Sequence, residues 1–292
     1  MGNKFWPIFF MFWPIVAIIF CVVAPENNWW FPTPPLSKLG VQIDNLFYLI
    51  LVIVTVTFIG THIALGYVLW RGVDNKEKKA WFSHGSHNLE VIWSIAPAGI
   101  LLFISLYQLD VWRQFRVTSS FPDDTTLVAE VTARQFEWRI RYPKPDREFK
   151  SQAEIKKWLA GPQEGDLYTV NDIHVPVHQN SLVYIRSMDV QHSFFVPALR
   201  VKQDAVPGQV IPLWFGTTAE GDFDLTCTEL CGWGHYKMRG RVLAQTRSEY
   251  EAYLKTLESE QNFDGVTPAS GSGALVASWG ATESESESTE TE

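Results

Sequence analysis

Three apolar runs dominate the first 112 positions: Phe5 to Ala24, Leu46 to Trp70 and Val91 to Trp112. A helix needs ~20 mostly apolar residues to cross a bilayer core. The second run carries only Thr55, Thr57, Thr61 and His62 as polar positions. The third holds Pro97, which a membrane helix tolerates when neighbouring groups satisfy the freed carbonyl. The pattern predicts a transmembrane helical hairpin over residues 43–112. Residues 1–24, with one Lys ahead of an apolar stretch ending at Ala24, have the outline of a signal peptide. Pro25 would sit just after any cleavage point, and Phe20 before Cys21 spoils a lipoprotein-type site. The run is therefore read as an uncleaved extra helix, with Cys21 a small membrane-buried hydrophobe.

Beyond Trp112 the period changes to two. Phe136, Trp138, Ile140 and Tyr142 alternate with Glu137, Arg139 and Arg141, the mark of a half-buried strand. Leu182 to Ile185, Val210 to Phe215, Phe223 to Cys227 and Val242 to Ala244 are further β-rich runs, interrupted by Pro197, Pro207 and Gly208. Short strands at this spacing predict an all-β sandwich or small barrel over 113–257. One helix is expected over Ser151 to Leu159. Another is expected over Ser248 to Leu257, opened by a Ser248/Glu251 capping box. Residues 258–292 are mostly Gly, Ser, Thr and Glu and are expected to be a disordered acidic tail.

Charge sharpens this division. The formal net charge of the 292-residue chain is −8, with 24 Lys+Arg, 32 Asp+Glu and three Cys. Eight of the 32 acids lie from Glu258 onward with no Lys or Arg among them, leaving the preceding chain balanced at 24 and 24. A nucleic-acid partner would need a basic footprint, so none is expected. The loop between the second and third runs carries Arg71, Lys76, Lys78 and Lys79. Short basic loops stay on the cytoplasmic side, so the β-rich part is placed on the periplasmic, outer face of a bacterial inner membrane. Trp29, Trp30, Trp70, Trp81 and Trp112 fall at span ends, where indole favours the interface.

The chemistry concentrates in Cys227-Thr-Glu229-Leu-Cys231-Gly-Trp-Gly-His235-Tyr-Lys-Met238. Thiolate, imidazole and thioether in one loop suit copper better than magnesium or calcium, and Gly232 and Gly234 allow a tight turn. A second imidazole is needed to balance the site, and His192 is placed at the end of the preceding β-rich run, Leu182 to Asp189. Structural zinc and a Cys227–Cys231 disulfide are the competing readings of the same residues. Met238 is a poor zinc ligand, and the spacing is not that of a zinc finger.

This loop, together with Ser187-Met-Asp-Val-Gln-His192-Ser-Phe, Val196-Pro-Ala-Leu, Lys202-Gln-Asp-Ala-Val-Pro-Gly208 and Glu90-Val-Ile-Trp-Ser-Ile-Ala-Pro97, resembles subunit II of cytochrome c oxidases over residues from about 40 to 257. The resemblance implies a cupredoxin-like Greek-key barrel carrying a binuclear copper centre, Cu-A. It implies Cys227 and Cys231 as bridging thiolates, and His192 and His235 as one ligand to each copper. Met238 would be a weak axial ligand, and Glu229 would offer its backbone carbonyl. The Glu229 side chain would reach a magnesium ion shared with subunit I. Glu90 would stand at the mouth of a proton path into subunit I, and Asp189 would be a docking carboxylate for a c-type cytochrome. Haem would reside only in the partner subunit I, with subunit III as a further partner. The chain departs from the family where electrons arrive: an aromatic cluster that often opens with Trp reads Arg134-Gln-Phe136-Glu137-Trp138, leaving Phe136 or Trp138 for that task. Two related readings share the pattern, the copper subunit of a haem-copper nitric oxide reductase and a metal-free quinol-oxidase-like subunit. The second is disfavoured because all the ligands are present.

Overall fold

The computed structural model describes residues 4–30, 34–74, 82 and 84–261. Each apolar run becomes a helix: α1 is Phe5–Glu26, α2 Lys38–Asp74 and α3 His87–Arg116. All three are long and apolar enough to cross a membrane. The second and third overrun the predicted 43–112 because polar residues at their ends, invisible to a hydropathy pattern, continue the i to i−4 hydrogen bonding. Arg71 belongs to the last turn of α2, whereas Lys76, Lys78, Lys79 and Trp81 lie outside the described residues. Helix α1 packs on α2 at Gly66, where a Cβ would come within 2.6 Å of Met11 Cγ; small residues permit such close helix contacts in membranes. Cys21 Sγ lies 3.5 Å from Thr55 Oγ1, so its setting is not purely apolar as expected.

The chain divides into two compact units, Met1–Pro34 with Val41–Arg113, and Pro35–Gly40 with Gln114–Glu292. The second break falls one residue from the expected 112/113. The inclusion of Pro35–Gly40 with the β unit was not expected. Leu36 N donates to Ala198 O at 2.9 Å, Leu36 O accepts from Thr218 N at 2.9 Å, and Ser37 Oγ donates to Leu199 O at 2.9 Å.

The β unit contains β1 (Thr126–Arg134), β2 (Glu137–Tyr142), β3 (Leu167–Val170), β4 (Asp172–Pro176), β5 (Asn180–Ser187), β6 (His192–Val196), β7 (Val201–Ala205), β8 (Ile211–Gly216), β9 (Gly221–Cys227) and β10 (Arg239–Gln245). They form two five-stranded sheets, ordered β3-β2-β1-β5-β8 and β4-β10-β9-β6-β7. Mixed pairing places β1 parallel to β5 and β4 parallel to β10. Val131, Ile140, Val183, Phe194, Leu225 and Val242 are fully buried in the one apolar core between the sheets. The result is the sandwich, or half-closed barrel, of a cupredoxin-like domain.

Strand β2 is not half-buried: Arg139 and Arg141 are buried along with the apolar positions. The outer face of this sheet is covered by the segment carrying α4 (Gln152–Leu159), capped by Ser151 Oγ accepting from Glu154 N. Under it Arg141 pairs with Glu130 at 2.6 Å and Asp166 at 3.0 Å, and its guanidinium lies 4.1 Å over the Trp158 ring. Trp158 Nε1 donates to Asp166 Oδ1 at 2.9 Å. Buried charges persist only when paired this closely. Arg141→Ala leaves the buried carboxylates of Glu130 and Asp166 with only the partly exposed Arg186 and Arg147 and is expected to destabilise the β unit by about 3 kcal/mol in denaturant unfolding; a loss below ~1 kcal/mol would contradict this reading of the cluster.

Helix α5 is Arg247–Gln261, longer than predicted. Its capping box is Thr246/Glu249, two residues before the expected Ser248/Glu251: Glu249 N donates to Thr246 Oγ1 at 3.3 Å and Thr246 N to Glu249 Oε2 at 3.0 Å. Glu251 instead pairs with Arg247 at 2.6 Å. Gln261 extends the helix because its amide pairs with the Tyr168 backbone in β3, accepting from Tyr168 N at 2.9 Å and donating to Tyr168 O. Residues 258–261 thus belong to the folded unit. The remaining stretch of the expected acidic tail, 262–292, lies outside the described residues.

His174 in β4 stacks on Tyr253 of α5 at 3.5 Å and 9°, with its Nδ1 hydrogen donated to Gln245 Oε1 at 2.8 Å. Burial holds this imidazole below its ordinary value of 6.5, outweighing the Gln245 bond. The unfolded chain therefore takes up the proton first, so the contribution is complete above 6.5 and is lost as pH falls below it. Thermal unfolding should show this loss in the parent and less of it in His174→Gln; identical pH profiles would count against it.

Candidate metal centre

The centre is assembled from two strand ends and one loop. Strand β9 ends at Cys227, the loop carries Glu229, Cys231 and His235, and Met238 immediately precedes β10. His192 opens β6 and does not sit at the end of β5, as the run Leu182 to Asp189 had suggested; β6 pairs with β9 so that Phe194 lies opposite Cys227. The register between these two strands therefore brings His192 to the loop.

Cys227 Sγ and Cys231 Sγ are 3.9 Å apart, far beyond the ~2.05 Å of a disulfide, and both cysteines are free and buried. His192 Nδ1 lies 3.9 Å from Cys227 Sγ and 3.1 Å from Met238 Sδ. On the other side, Cys231 Sγ is 3.5 Å from His235 Nδ1 and 3.9 Å from Met238 Sδ. The Glu229 carbonyl accepts from Cys227 Sγ at 3.2 Å. Donor atoms of His192, Cys227 and Cys231 all lie within 4.8 Å of one another. Sulfur and imidazole nitrogen are poor mutual hydrogen-bond partners, yet here they face each other out of water. This donor set fits a soft metal.

The electrostatics make the same point. Burial pushes the Cys227 thiol up, but hydrogen bonds from His192 and the backbone of Ser193 and Glu229 bring it to about 6. Burial and the neighbouring Cys227 sulfur push Cys231 up to about 12. One thiolate is stable in this pocket, and the second needs added positive charge.

The surroundings hold the ligands. His192 is fully buried and its Nε2 lies 2.8 Å from Asp189 Oδ1. The Asp189 carboxylate also accepts from Gln135 N at 2.8 Å and Val190 N at 2.7 Å. Burial opposes ionisation of Asp189, but the Gln135 backbone and His192 outweigh it and lower its pKa. Asp189 is thus committed to orienting His192, a connection that only the folded loop reveals. Trp138, one of the aromatics expected to meet electrons, is fully buried, its ring centroid 6.4 Å from that of His192, so it cannot meet a donor at the surface. Phe136 is half-buried in the β1–β2 turn, edge-on to Trp233 at 5.1 Å. Sequence reasoning missed Trp233, which is 78% exposed; its place between Cys231 and His235 was the available signal. Glu90 lies exposed in the first turn of α3, apart from this centre along the chain.

Gly232 has the positive φ of +132° that a turn requires. Gly234 serves differently, since a Cβ there would sit 2.4 Å from Phe136 Cδ2. Gly234→Ala should therefore lift the loop off Phe136 and weaken metal retention against a chelator, at a stability cost of about 1–3 kcal/mol. Phe136→Ala in the same chain should restore retention; strictly additive losses would contradict the contact.

Fold and site together define a membrane-anchored β-sandwich protein with a soft-metal pocket at one end of its sheets. Comparison with known proteins makes this specific. Residues 127–244 match the family description "Cytochrome C oxidase subunit II, periplasmic domain", and residues 34–111 match the corresponding transmembrane domain. The cytochrome c oxidase subunit 2 of Cereibacter sphaeroides is 32% identical over 264 residues, covering 83% of this chain and 85% of that one. The alternative cytochrome c oxidase subunit 2 of Bradyrhizobium diazoefficiens is 29% identical over 272 residues, covering 90% and 93%. Among solved structures, the periplasmic domain of subunit II of cytochrome oxidase from Bradyrhizobium japonicum is 25% identical, covering 48% of this chain and 96% of that one with a TM-score of 0.38. The chain belongs to the cytochrome c oxidase subunit II family. It is a membrane protein of the respiratory oxidases with a copper site, and the nitric oxide reductase and quinol-oxidase readings give way to the oxidase one.

Proposed function

We propose that this chain takes electrons one at a time from a c-type cytochrome on the outer face of the bacterial inner membrane. It delivers them to the haem centres of subunit I, where O2 is reduced to water with proton pumping. The observation that carries this reading is the convergence of two thiols, two imidazoles, a thioether and a carbonyl on one pocket. Cys227, Cys231, His192, His235, Met238 and the backbone carbonyl of Glu229 would together hold a pair of coppers, the two thiolates supplying the charge and the two imidazoles and the thioether completing the donor set. A copper pair held there supplies one-electron redox chemistry with little rearrangement. The chain's own residues keep water out, since Cys227, Cys231, Met238 and His192 are all buried. Asp189 fixes the ring of His192, and the β6–β9 register fixes its distance from the cysteines.

The Glu229 carboxylate would help to hold a magnesium ion shared with subunit I, Glu90 would serve a proton path into that subunit, and subunit III would be a further partner. In the assembled oxidase, Cys227→Ser should abolish near-infrared absorption by copper and stop oxidation of the cytochrome while the complex still assembles. Unchanged turnover in that variant would contradict the role.

A further inference from the structure

We infer that Trp233 is the residue against which the electron donor docks, and that the donor presents an apolar rim around its exposed haem edge. The inference rests on the electron-accepting role proposed above. In the β unit, among the described residues, the most exposed large apolar side chains are Leu230, Trp233 and Tyr236, at 82%, 78% and 76%, all on the ligand loop. Two further exposed apolar residues, Met188 and Val190, belong to the loop that leads to His192. Leaving such side chains in water is costly, and several exposed large apolar residues gathered on one loop, with Trp233 and Tyr236 sharing the Lys237 ammonium, mark a partner site. Its position on the two ligand-bearing loops ties the partner to the metal centre.

Trp233 is held in place within this patch. The edge of Phe136 packs on it at 5.1 Å and 70°, and the Lys237 ammonium lies 4.5 Å over its ring. Gly232 and Gly234 flank it, and the space a side chain would need at Gly234 is occupied by Phe136. The loop therefore lies flat on Phe136 and turns Trp233 outward. Phe136 is behind it and Trp138 is fully buried, so Trp233 is the outermost of the three aromatics. It stands two residues along the chain from both Cys231 and His235, which gives a short covalent route inward. The Asp189 carboxylate keeps its charge but is hydrogen-bonded to His192, Gln135 and Val190, and the ligand loop itself offers an apolar surface with the Lys237 cation stacked on it. Such a face suits a partner rim that is uncharged and apolar, and Trp is prominent among the residues that dominate contacts of this kind.

In the step itself the donor haem iron would go from ferrous to ferric and the copper held by this pocket would gain that electron. No bond forms and no proton moves. Trp233 supplies contact and route and is not itself oxidised.

The test uses the whole oxidase complex with W233A and W233F, and mitochondrial cytochrome c as donor. A zinc-porphyrin form of the same cytochrome, which cannot donate in the dark, measures binding by fluorescence. W233A should lower kcat/KM at least roughly tenfold and weaken zinc-cytochrome binding by a similar factor, with little dependence on salt, whereas W233F should stay within about threefold of the parent. Copper content and near-infrared absorption should match the parent in both variants, because the side chain is exposed. Equal binding and equal kcat/KM in W233A would overturn the inference. So would poor recovery of the large subunit with W233A while each assembled complex binds cytochrome normally, since Trp233 would then be a subunit contact. A parent complex lacking copper would instead overturn the functional reading on which the inference rests, and metal analysis tells the two failures apart.

Discussion

Two cysteine sulfurs 3.9 Å apart and shielded from water cannot both carry charge at modest cost unless positive charge lies beside them. The pocket settles for one: Cys227 is drawn down to about 6 while Cys231 is driven up to about 12. Much of the β unit serves to keep this unfavourable pair together. Cys227 is fixed at a strand end, Cys231 by a loop that closes over Phe136, and Met238 by the start of the next strand. A cation that relieves the repulsion is thereby bound by a site that already exists, which keeps rearrangement small when an electron arrives.

The support reaches outward in layers. Asp189 spans the gap between His192 and the backbone of the β1–β2 turn, so the turn holding Phe136 and the ring of His192 move as one body. On the outer face of the same sheet, the Glu130–Arg141–Asp166 cluster pins the α4 segment and makes β2 an interior strand. At the far end of the sheets, α5 is fastened by Gln261 and by the His174–Tyr253 stack. The segment Pro35–Gly40, which continues into α2, hydrogen-bonds to Ala198, Leu199 and Thr218 of the β unit. The first turn of that membrane helix therefore starts from a fixed point.

Much of this was legible beforehand, and the gaps have a common cause. Hydropathy found the three spans, period-two alternation found β2 and β9, and β-rich runs marked β5, β8 and β10. Spacing and ligand chemistry picked out the loop Cys227 to Met238 and the second imidazole, His192, and resemblance supplied the role of each ligand. What stayed hidden depends on contacts distant in the chain. Arg139 and Arg141 alternate like surface residues, yet both are interior: Arg141 lies under the covering helix against two remote acids, and Arg139 pairs with Glu137. The capping box slipped by two residues because Thr246 and Ser248 both offer a hydroxyl three positions ahead of a glutamate. Asp189 carried the look of a free carboxylate, and Trp138 that of an accessible aromatic, until the loop geometry placed one on His192 and the other in the core. Gly234 looked like a turn residue and proved to be a space filler's absence beneath Phe136.

The electron-accepting role of this chain depends on the pocket holding a coupled pair of coppers. Metal analysis with electron paramagnetic resonance on the purified oxidised complex, after correction for copper in the large subunit, addresses it directly. The account predicts about two coppers per chain sharing one unpaired electron in a mixed-valence spectrum. A single zinc, or one isolated cupric ion, would contradict it.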